Sequence, residues 1–152
     1  MRCSTASTRF AGTRELDLAA LRGSVAAAAA GLPLEAAPVE HLVRLYGPHA
    51  EEVVERVRRN PAAGERICPR NPDVAAQVEV AVKREWAVTL ADLLLRRTGI
   101  GTSPCLGLDC AERAAAWMGR AAGWSDARRS TEIGAYRRLI QQRYRAGLSA
   151  GD

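Results

Sequence analysis

Acidic and basic side chains follow one another closely between positions 79 and 98. Glu79, Glu85 and Asp92 precede the adjacent pair Arg96-Arg97. Such a set could act as an acid/base or anion-binding cluster, because carboxylates transfer protons and guanidinium groups bind anions. It could also be a network of ion pairs that ties two neighbouring helices together. We favour the network, because charged pairs on helix surfaces are usually structural and each contributes little to stability.

Other patterns that are typical of catalysis are incomplete. Gly99-Ile100-Gly101 begins like a phosphate-binding turn, but Pro104 stands where the third glycine of G-x-G-x-x-G belongs. The only lysine, Lys83, has no glycine-rich neighbours, and the sequence has no G-x-S-x-G pattern. We therefore predict no catalytic residue and no cofactor-binding residue in this chain.

The cysteines and histidines do not form a metal-ligand pattern. No C-x-x-C pair occurs, and both histidines are remote in sequence from the two closest cysteines. A Cys-x4-Cys pair could bind a metal only with two further ligands, which the sequence does not identify. We therefore predict no metal site, and we expect reduced thiols as in cytosolic proteins. The residues concerned are Cys3, Cys68, Cys105, Cys110, His41 and His49.

The last third of the chain is strongly basic. Between Arg113 and Arg145 there are eight arginines but only two acidic residues, Asp126 and Glu132. This excess could bind nucleic acid or an anionic membrane surface. It could equally be a solvated helix face, which we prefer because no convincing helix-turn-helix pattern accompanies it.

The elements that must position these residues are helices. The chain has 152 residues, 47% of them hydrophobic and 5% aromatic, which suits a single domain whose core is built mainly from Ala, Leu and Val. No segment favours a strand, so we predict an all-α fold, a single compact bundle of five or six helices. Trp86, Trp117 and Trp124 are expected to be core anchors.

Helix-start and helix-stop residues recur along the chain. Six helices are predicted: Pro38 to Tyr46, Pro48 to Arg59, Pro72 to Ala87, one beginning at Thr89, one beginning at Asp109, and Ser125 to Arg145. Arg14 to Ala30 could also be helical. Asn71, Thr89, Asp109 and Ser125 are the predicted N-caps, and Thr89-x-x-Asp92 resembles a capping box. Gly47 and Gly123 are the predicted C-terminal stops.

The run from Val78 to Thr98 resembles the C-terminal helical (cap) domain of FAD-dependent glycerol-3-phosphate dehydrogenases and alpha-glycerophosphate oxidases. The family pattern is roughly E-x5-E-x-A-x-T-x-x-D-x-L-x-R-R-T. The matching residues are Glu79, Glu85, Ala87, Thr89, Asp92, Leu94, Arg96, Arg97 and Thr98, with Trp86 inside the motif. Further similarity lies in Leu42 to Gly47 and in Met118 to Ser125, so the resemblance extends over about Pro38 to Ile140.

The resemblance implies a role in the oxidation of glycerol 3-phosphate to dihydroxyacetone phosphate, with FAD as hydride acceptor and quinone or oxygen as the final oxidant. In that family, the flavin and substrate residues belong to a large N-terminal portion. No catalytic residue can therefore be transferred to any position here. The implied partner is an FAD-binding catalytic domain or subunit, and self-association is a further possibility.

The resemblance also implies a division of the chain. Residues 1–33 form a loosely ordered or partly helical segment, 34–146 the family domain, and 147–152 a tail. No apolar run approaches the length of a transmembrane helix and no signal peptide is recognisable. We expect a cytoplasmic protein, with peripheral contact at the inner face of the membrane left open. The alternative function is that of a basic helical module for nucleic acid or an anionic membrane, with nucleic acid disfavoured.

Overall fold

A computed structural model of the chain describes residues 17–144, and of Tyr144 only the backbone. The prediction of an all-α bundle is confirmed over this range, which has six helices of nine or more residues and no β-strand, only an isolated bridge between Arg66 and Val74. The helices are α1 (Leu18–Ala29), α2 (Ala36–Tyr46), α3 (Ala50–Arg59), α4 (Ala76–Arg84), α5 (Leu90–Asp92), α6 (Ala111–Ala122) and α7 (Asp126–Tyr144). The predicted tail Met1 to Thr13, the predicted helical residues 14–16, Arg145 and the tail 147–152 lie outside the described residues.

Short helical turns connect several of these helices. The three-residue α5 continues directly into a π-helical turn, Leu93–Arg97. Single 3-10 turns lie at Gly47–His49, Pro61–Gly64 and Ile100–Thr102.

Most predicted helix ends are confirmed. Gly47 ends α2 with φ at 51°, and Gly123 ends α6 in the left-handed conformation with φ at 70°. The backbone N–H of Trp124 donates to the Gly119 carbonyl at 3.0 Å, which closes the C-terminal motif. At the start of α7, Ser125 Oγ accepts from the Arg128 backbone N–H at 3.2 Å.

The predicted start of α4 is wrong. Asn71 does not cap it, because the helix begins at Ala76 and ends at Arg84 instead of Ala87. The preceding segment pairs with the chain around Arg66: Ile67 N–H donates to the Asp73 carbonyl at 3.0 Å, and Ala75 N–H donates to the Glu65 carbonyl at 2.9 Å. These tertiary hydrogen bonds hold the backbone out of the helix that Pro72 would otherwise begin.

The predicted cap of α6 is also wrong. The N-cap residue is Cys110, whose side chain makes no capping hydrogen bond. Asp109 instead lies opposite Arg70, with its Oδ2 3.6 Å from the arginine Nε. Consecutive turns from Ser103 to Cys110 precede the helix, so that it begins only at Ala111.

The core has two parts that meet at α4. One lies among α4, α5, α6 and α7 and includes Leu90, Leu93, Leu94, Met118 and Tyr136. The other lies among α1, α2, α3 and α4 and includes Val25, Leu42, Val53, Val54 and Val57. Because α4 contributes buried residues to both, it fixes the position of the segment that follows it. None of the helices between residues 17 and 144 is long and apolar enough to cross a membrane.

Candidate functional site

The motif residues form a continuous surface segment at the end of α4. Glu85 follows the helix, and Trp86 then adopts a left-handed backbone conformation with φ at 58°. The Ala87 N–H donates back to the Ala81 carbonyl at 2.9 Å. This turn reverses the chain, so that the motif leaves α4 and enters α5 within a few residues.

Trp86 lies in solvent, and the prediction that it is a core anchor is wrong. Its relative accessible surface is 86%. The helical spacing from Val78 and Val82 would bury it only if α4 continued to Ala87, whereas α4 ends at Arg84. Trp117 and Trp124, by contrast, are partly buried against the core.

Two further apolar side chains are exposed in or beside the motif: one follows Trp86 in sequence, and the other shares a cavity with Glu85. Val88 is 59% exposed and Leu45 is 49% exposed. Leu45 lines a shallow cavity of about 290 Å³ together with Glu85, the neighbour of Trp86. We call the set Leu45, Glu85, Trp86 and Val88 the motif surface. Exposed apolar groups in such a cluster mark interaction sites more often than isolated ones do.

Thr89 and Asp92 form the predicted capping box. Thr89 Oγ1 accepts from the Asp92 N–H at 3.1 Å, and Asp92 Oδ2 accepts from the Thr89 N–H at 2.9 Å. Arg96 reaches Asp92 Oδ1 at 2.5 Å. Burial alone would raise the pKa of Asp92, but hydrogen bonds from Thr89 and Val88 and the charge of Arg96 together lower it. The carboxylate therefore stays ionised and holds the start of α5.

Substituting Thr89 by Ala should lower the free energy of unfolding by about 1 kcal/mol, the usual cost of losing an N-cap side chain. The measurement is urea unfolding of the full chain. Thr131→Ala is the matched control, since the Thr131 hydroxyl donates to the Ala127 carbonyl at an exposed position of α7. That control should change stability by less than about 0.5 kcal/mol, and equal losses in both variants would contradict a capping role.

The charged motif residues separate into local pairs. Arg97 Nε donates to the Glu85 carbonyl at 3.0 Å and lies 3.9 Å from Glu85 Oε2, which links the π-helical turn to the end of α4. Glu79 lies apart, paired with Lys83 one turn along α4 at 2.7 Å. The hydrogen bond from Lys83 lowers the pKa of Glu79. Of the predicted inter-helix network, the structure brings together only Arg97 and Glu85.

Leu94 and Thr98, near the end of the motif, support the π-helical turn. Leu94 is fully buried in the core. Thr98 Oγ1 donates to the carbonyls of Leu93 and Leu94, at 3.1 and 3.3 Å. A π-helical turn leaves such carbonyls without regular helical partners, so the Thr98 hydroxyl satisfies them.

A buried carboxylate that the sequence pattern did not identify binds the residue that follows the motif. Asp73 is fully buried. Its Oδ2 accepts from the Gly99 N–H at 2.8 Å, and its Oδ1 lies 2.7 Å from His41 Nε2 and accepts from Gln77 Nε2 at 2.8 Å. One carboxylate thus gathers nitrogen atoms from α2, from α4 and from the residue that follows the motif. The partners His41 and Gly99 lie 32 and 26 residues away in sequence, so no local pattern could have identified them.

Glu132 is a second missed carboxylate, and it ties α7 to the motif. Only 8% of the residue is exposed, and its Oε2 accepts from the Leu90 N–H at 2.9 Å. Arg128 lies 2.7 Å from its other oxygen. The first backbone donor of α5 is therefore satisfied by α7.

The fold and this site define an all-α domain that presents an exposed tryptophan at the turn between α4 and α5. A family profile described as the C-terminal domain of alpha-glycerophosphate oxidase matches residues 3–129, so the chain belongs to that family. A segment of 70 residues is 46% identical to a glycerol-3-phosphate dehydrogenase of Synechocystis sp. (strain ATCC 27184 / PCC 6803 / Kazusa). That segment is 46% of this chain and 13% of the dehydrogenase. No solved structure matched the chain.

Proposed function

We propose that the chain is a non-catalytic C-terminal cap domain, a fragment or a stand-alone relative, of an FAD-dependent glycerol-3-phosphate dehydrogenase. Its role is to dock, through the motif surface, on an FAD-binding catalytic domain or subunit that oxidises glycerol 3-phosphate. The observation that carries this proposal is Trp86, an indole held 86% in solvent at the centre of the family motif.

The conformation of Trp86 supports a role in binding. A non-glycine residue at positive φ is costly and persists only when its surroundings impose it. Here the turn is imposed by the Arg97 contact to the Glu85 carbonyl and by the return of Ala87 to Ala81. A large aromatic group presented in this rigid way loses little entropy on binding, and tryptophan is enriched among residues that dominate interface energies.

The other motif residues act in this proposal as positioning residues. Thr89 and Asp92 start α5, Thr98 supports the π-helical turn, and Arg97 closes the turn at Glu85. FAD would be held by the catalytic partner, which supplies the hydride-accepting chemistry. This proposal places the protein in the cytoplasm, and peripheral contact with the inner face of the membrane remains a prediction, as does the division at residues 33 and 146.

The basic module is the less favoured function, because much of its charge is already engaged. Arg128 and Arg129 pair with Glu132 and Asp126, and Arg137 pairs with Glu112 of α6. The Arg120 guanidinium stacks on the Trp117 ring, 3.9 Å from its centroid. Arginines held in this way are less available to phosphates, so the motif surface is the better candidate for binding a partner.

The proposal predicts that Trp86→Ala weakens binding to the catalytic partner about 30-fold or more, the loss typical of a central interface residue. The measurement is calorimetric titration of the full chain into a flavin-loaded glycerol-3-phosphate dehydrogenase from which its own C-terminal domain has been removed. Trp86 makes no core contact, so the variant should keep the unfolding free energy of the unaltered protein.

Leu108→Ala is the matched control. Leu108 is 38% exposed and lies in the turns before α6, outside the motif surface. The Leu108→Ala variant should bind the catalytic partner with the affinity of the unaltered chain. Free FAD should not bind to this chain alone. Equal affinity of the Trp86 and control variants would contradict docking through the motif surface, and a flavin-loaded preparation of this chain would contradict the non-catalytic role. If the motif surface mediates self-association instead, sedimentation will show dimers that Trp86→Ala abolishes.

A further inference from the structure

Three thiols, one of them remote in sequence from the other two, lie together beside the turns before α6. Cys68 is fully buried in the loop between Glu65 and Ala75, and Cys105 is half-buried in the turns that begin at Ser103. Their sulfur atoms are 3.7 Å apart. Cys110 is buried nearby, and its thiol donates to the Gly107 carbonyl at 3.6 Å. All three are free thiols.

We propose that Cys105 and Cys68 form a peroxide-sensitive thiol pair, in which Cys105 is oxidised first and Cys68 then closes a reversible disulfide between the two loops. A disulfide needs sulfur atoms about 2.05 Å apart. The 3.7 Å contact is already van der Waals contact, and both cysteines lie in loops instead of helices, so a small local shift completes the bond. This inference is independent of the proposed docking function.

The surroundings of the two sulfur atoms differ in a way that sets their roles. Ser103 Oγ lies 3.2 Å from Cys105 Sγ. Burial alone would raise the pKa of Cys105, but the contact with Ser103 and hydrogen bonds from the Gly107 backbone and Cys68 together lower it. The Ser103 hydroxyl itself donates to the Ile100 carbonyl at 2.6 Å. Burial raises the pKa of Cys68, and it raises that of Cys110 to about 12. The half-buried Cys105 is therefore the thiol that ionises and reacts with the oxidant, since the thiolate is the reactive form.

The reaction balances with hydrogen peroxide as the oxidant. The Cys105 thiolate attacks one peroxide oxygen, the O–O bond breaks, and Cys105 sulfenic acid and hydroxide form. The Cys68 sulfur then attacks the Cys105 sulfur, the S–S bond forms and the S–O bond breaks. The second hydroxide takes the Cys68 proton and leaves as water. In sum, two thiols and one peroxide give one disulfide and two waters, and an added dithiol reverses the change.

Peptide mapping of the full chain tests the pair directly. The protein is treated with hydrogen peroxide, remaining thiols are alkylated, and the sample is digested without reduction by trypsin and by a protease that cleaves before aspartate. Trypsin releases Cys68 in the peptide 67–70 but leaves Cys105 and Cys110 together in 98–113. Cleavage before Asp109 separates them, so mass spectrometry can assign the linkage. We expect 67–70 joined to 98–108, and this peptide should disappear after dithiothreitol.

Single variants assign the order of events. Cys68→Ser should accumulate Cys105 sulfenic acid, which a cyclic diketone traps, whereas Cys105→Ser should give neither product. Cys3→Ser and Cys110→Ser are the controls and should keep the 67–70 linkage. A linkage between Cys105 and Cys110, or no linkage in the unaltered protein, would overturn the proposal. The mapping of the unaltered chain decides the matter even if the buried Cys68→Ser variant does not fold.

Discussion

Replacing Asp73 by Ala should lower the free energy of unfolding by about 3 to 5 kcal/mol, as expected when one member of a buried hydrogen-bonded charged group is removed. The carboxylate is fully buried and receives hydrogen bonds from Gln77 and the Gly99 backbone, with His41 at 2.7 Å. Alanine removes the partner of the buried Gln77 amide and of the half-buried His41 ring and Gly99 N–H. Urea unfolding of the full chain, followed by far-ultraviolet circular dichroism, measures the loss.

Asp109→Ala is the matched control for this experiment. Its side chain is 49% exposed and its nearest basic group is Arg70 at 3.6 Å, so its loss should be below about 0.5 kcal/mol. If Asp73→Ala lowered the free energy of unfolding by less than about 1 kcal/mol, the three partners would be forming hydrogen bonds to water or to one another. The buried carboxylate would then not be what joins α2, α4 and the end of the motif.

Replacing Gly101 by Ala should destabilise the protein by about 3 kcal/mol, at the upper end of the cost of overpacking. A Cβ at this position would lie 2.5 Å from the Leu94 carbonyl oxygen and 2.5 Å from Leu95 Cδ2. The carbonyl belongs to the π-helical turn and cannot rotate away like a side chain, so the backbone of the motif must shift. The same unfolding measurement gives the effect.

Gly23→Ala is the opposite case and serves as the control. Gly23 lies inside α1, and a Cβ there meets nothing within 4 Å. Alanine should raise the free energy of unfolding by about 0.5 to 1 kcal/mol, because it removes the conformational freedom of glycine from a helix interior. The two substitutions are chemically identical, so opposite signs would isolate the steric contact at Gly101. A similar, small effect at both positions would show that the turn adjusts without cost.

The helices and their ends could largely be predicted from sequence, because the relevant forces act over a few residues. The Thr89-Asp92 capping box, the Gly123 stop and the Ser125 cap depend on hydrogen bonds within one helical turn. The all-α class also follows from local spacing of apolar residues. The family motif was recognisable for the same reason, since its residues form one continuous run.

The predictions that failed involve hydrogen bonds and turns outside the helix that each local pattern assumed. Asn71 and Asp109 have the composition of N-caps, but the first segment pairs with Glu65 and Ile67 and the second leads through turns into Cys110. Helical spacing placed Trp86 in the core, whereas the chain leaves α4 after Arg84. A periodicity rule assumes that the helix continues, and only the tertiary contacts decide where it ends.

The fold class, most helix boundaries and the likeness of residues 79–98 to a dehydrogenase C-terminal domain could be predicted from sequence, because each is encoded by neighbours in the chain. The tertiary structure alone decided that Trp86 faces solvent, that Asp73 joins His41 to Gly99, and that Cys68 meets Cys105. The contacts of Asp73 and Cys68 join residues more than 25 positions apart, and the turn at Trp86 depends on the Arg97 contact to the Glu85 carbonyl, 12 positions away. Their physical basis is burial and hydrogen bonding between separate segments, which no local pattern of side chains encodes.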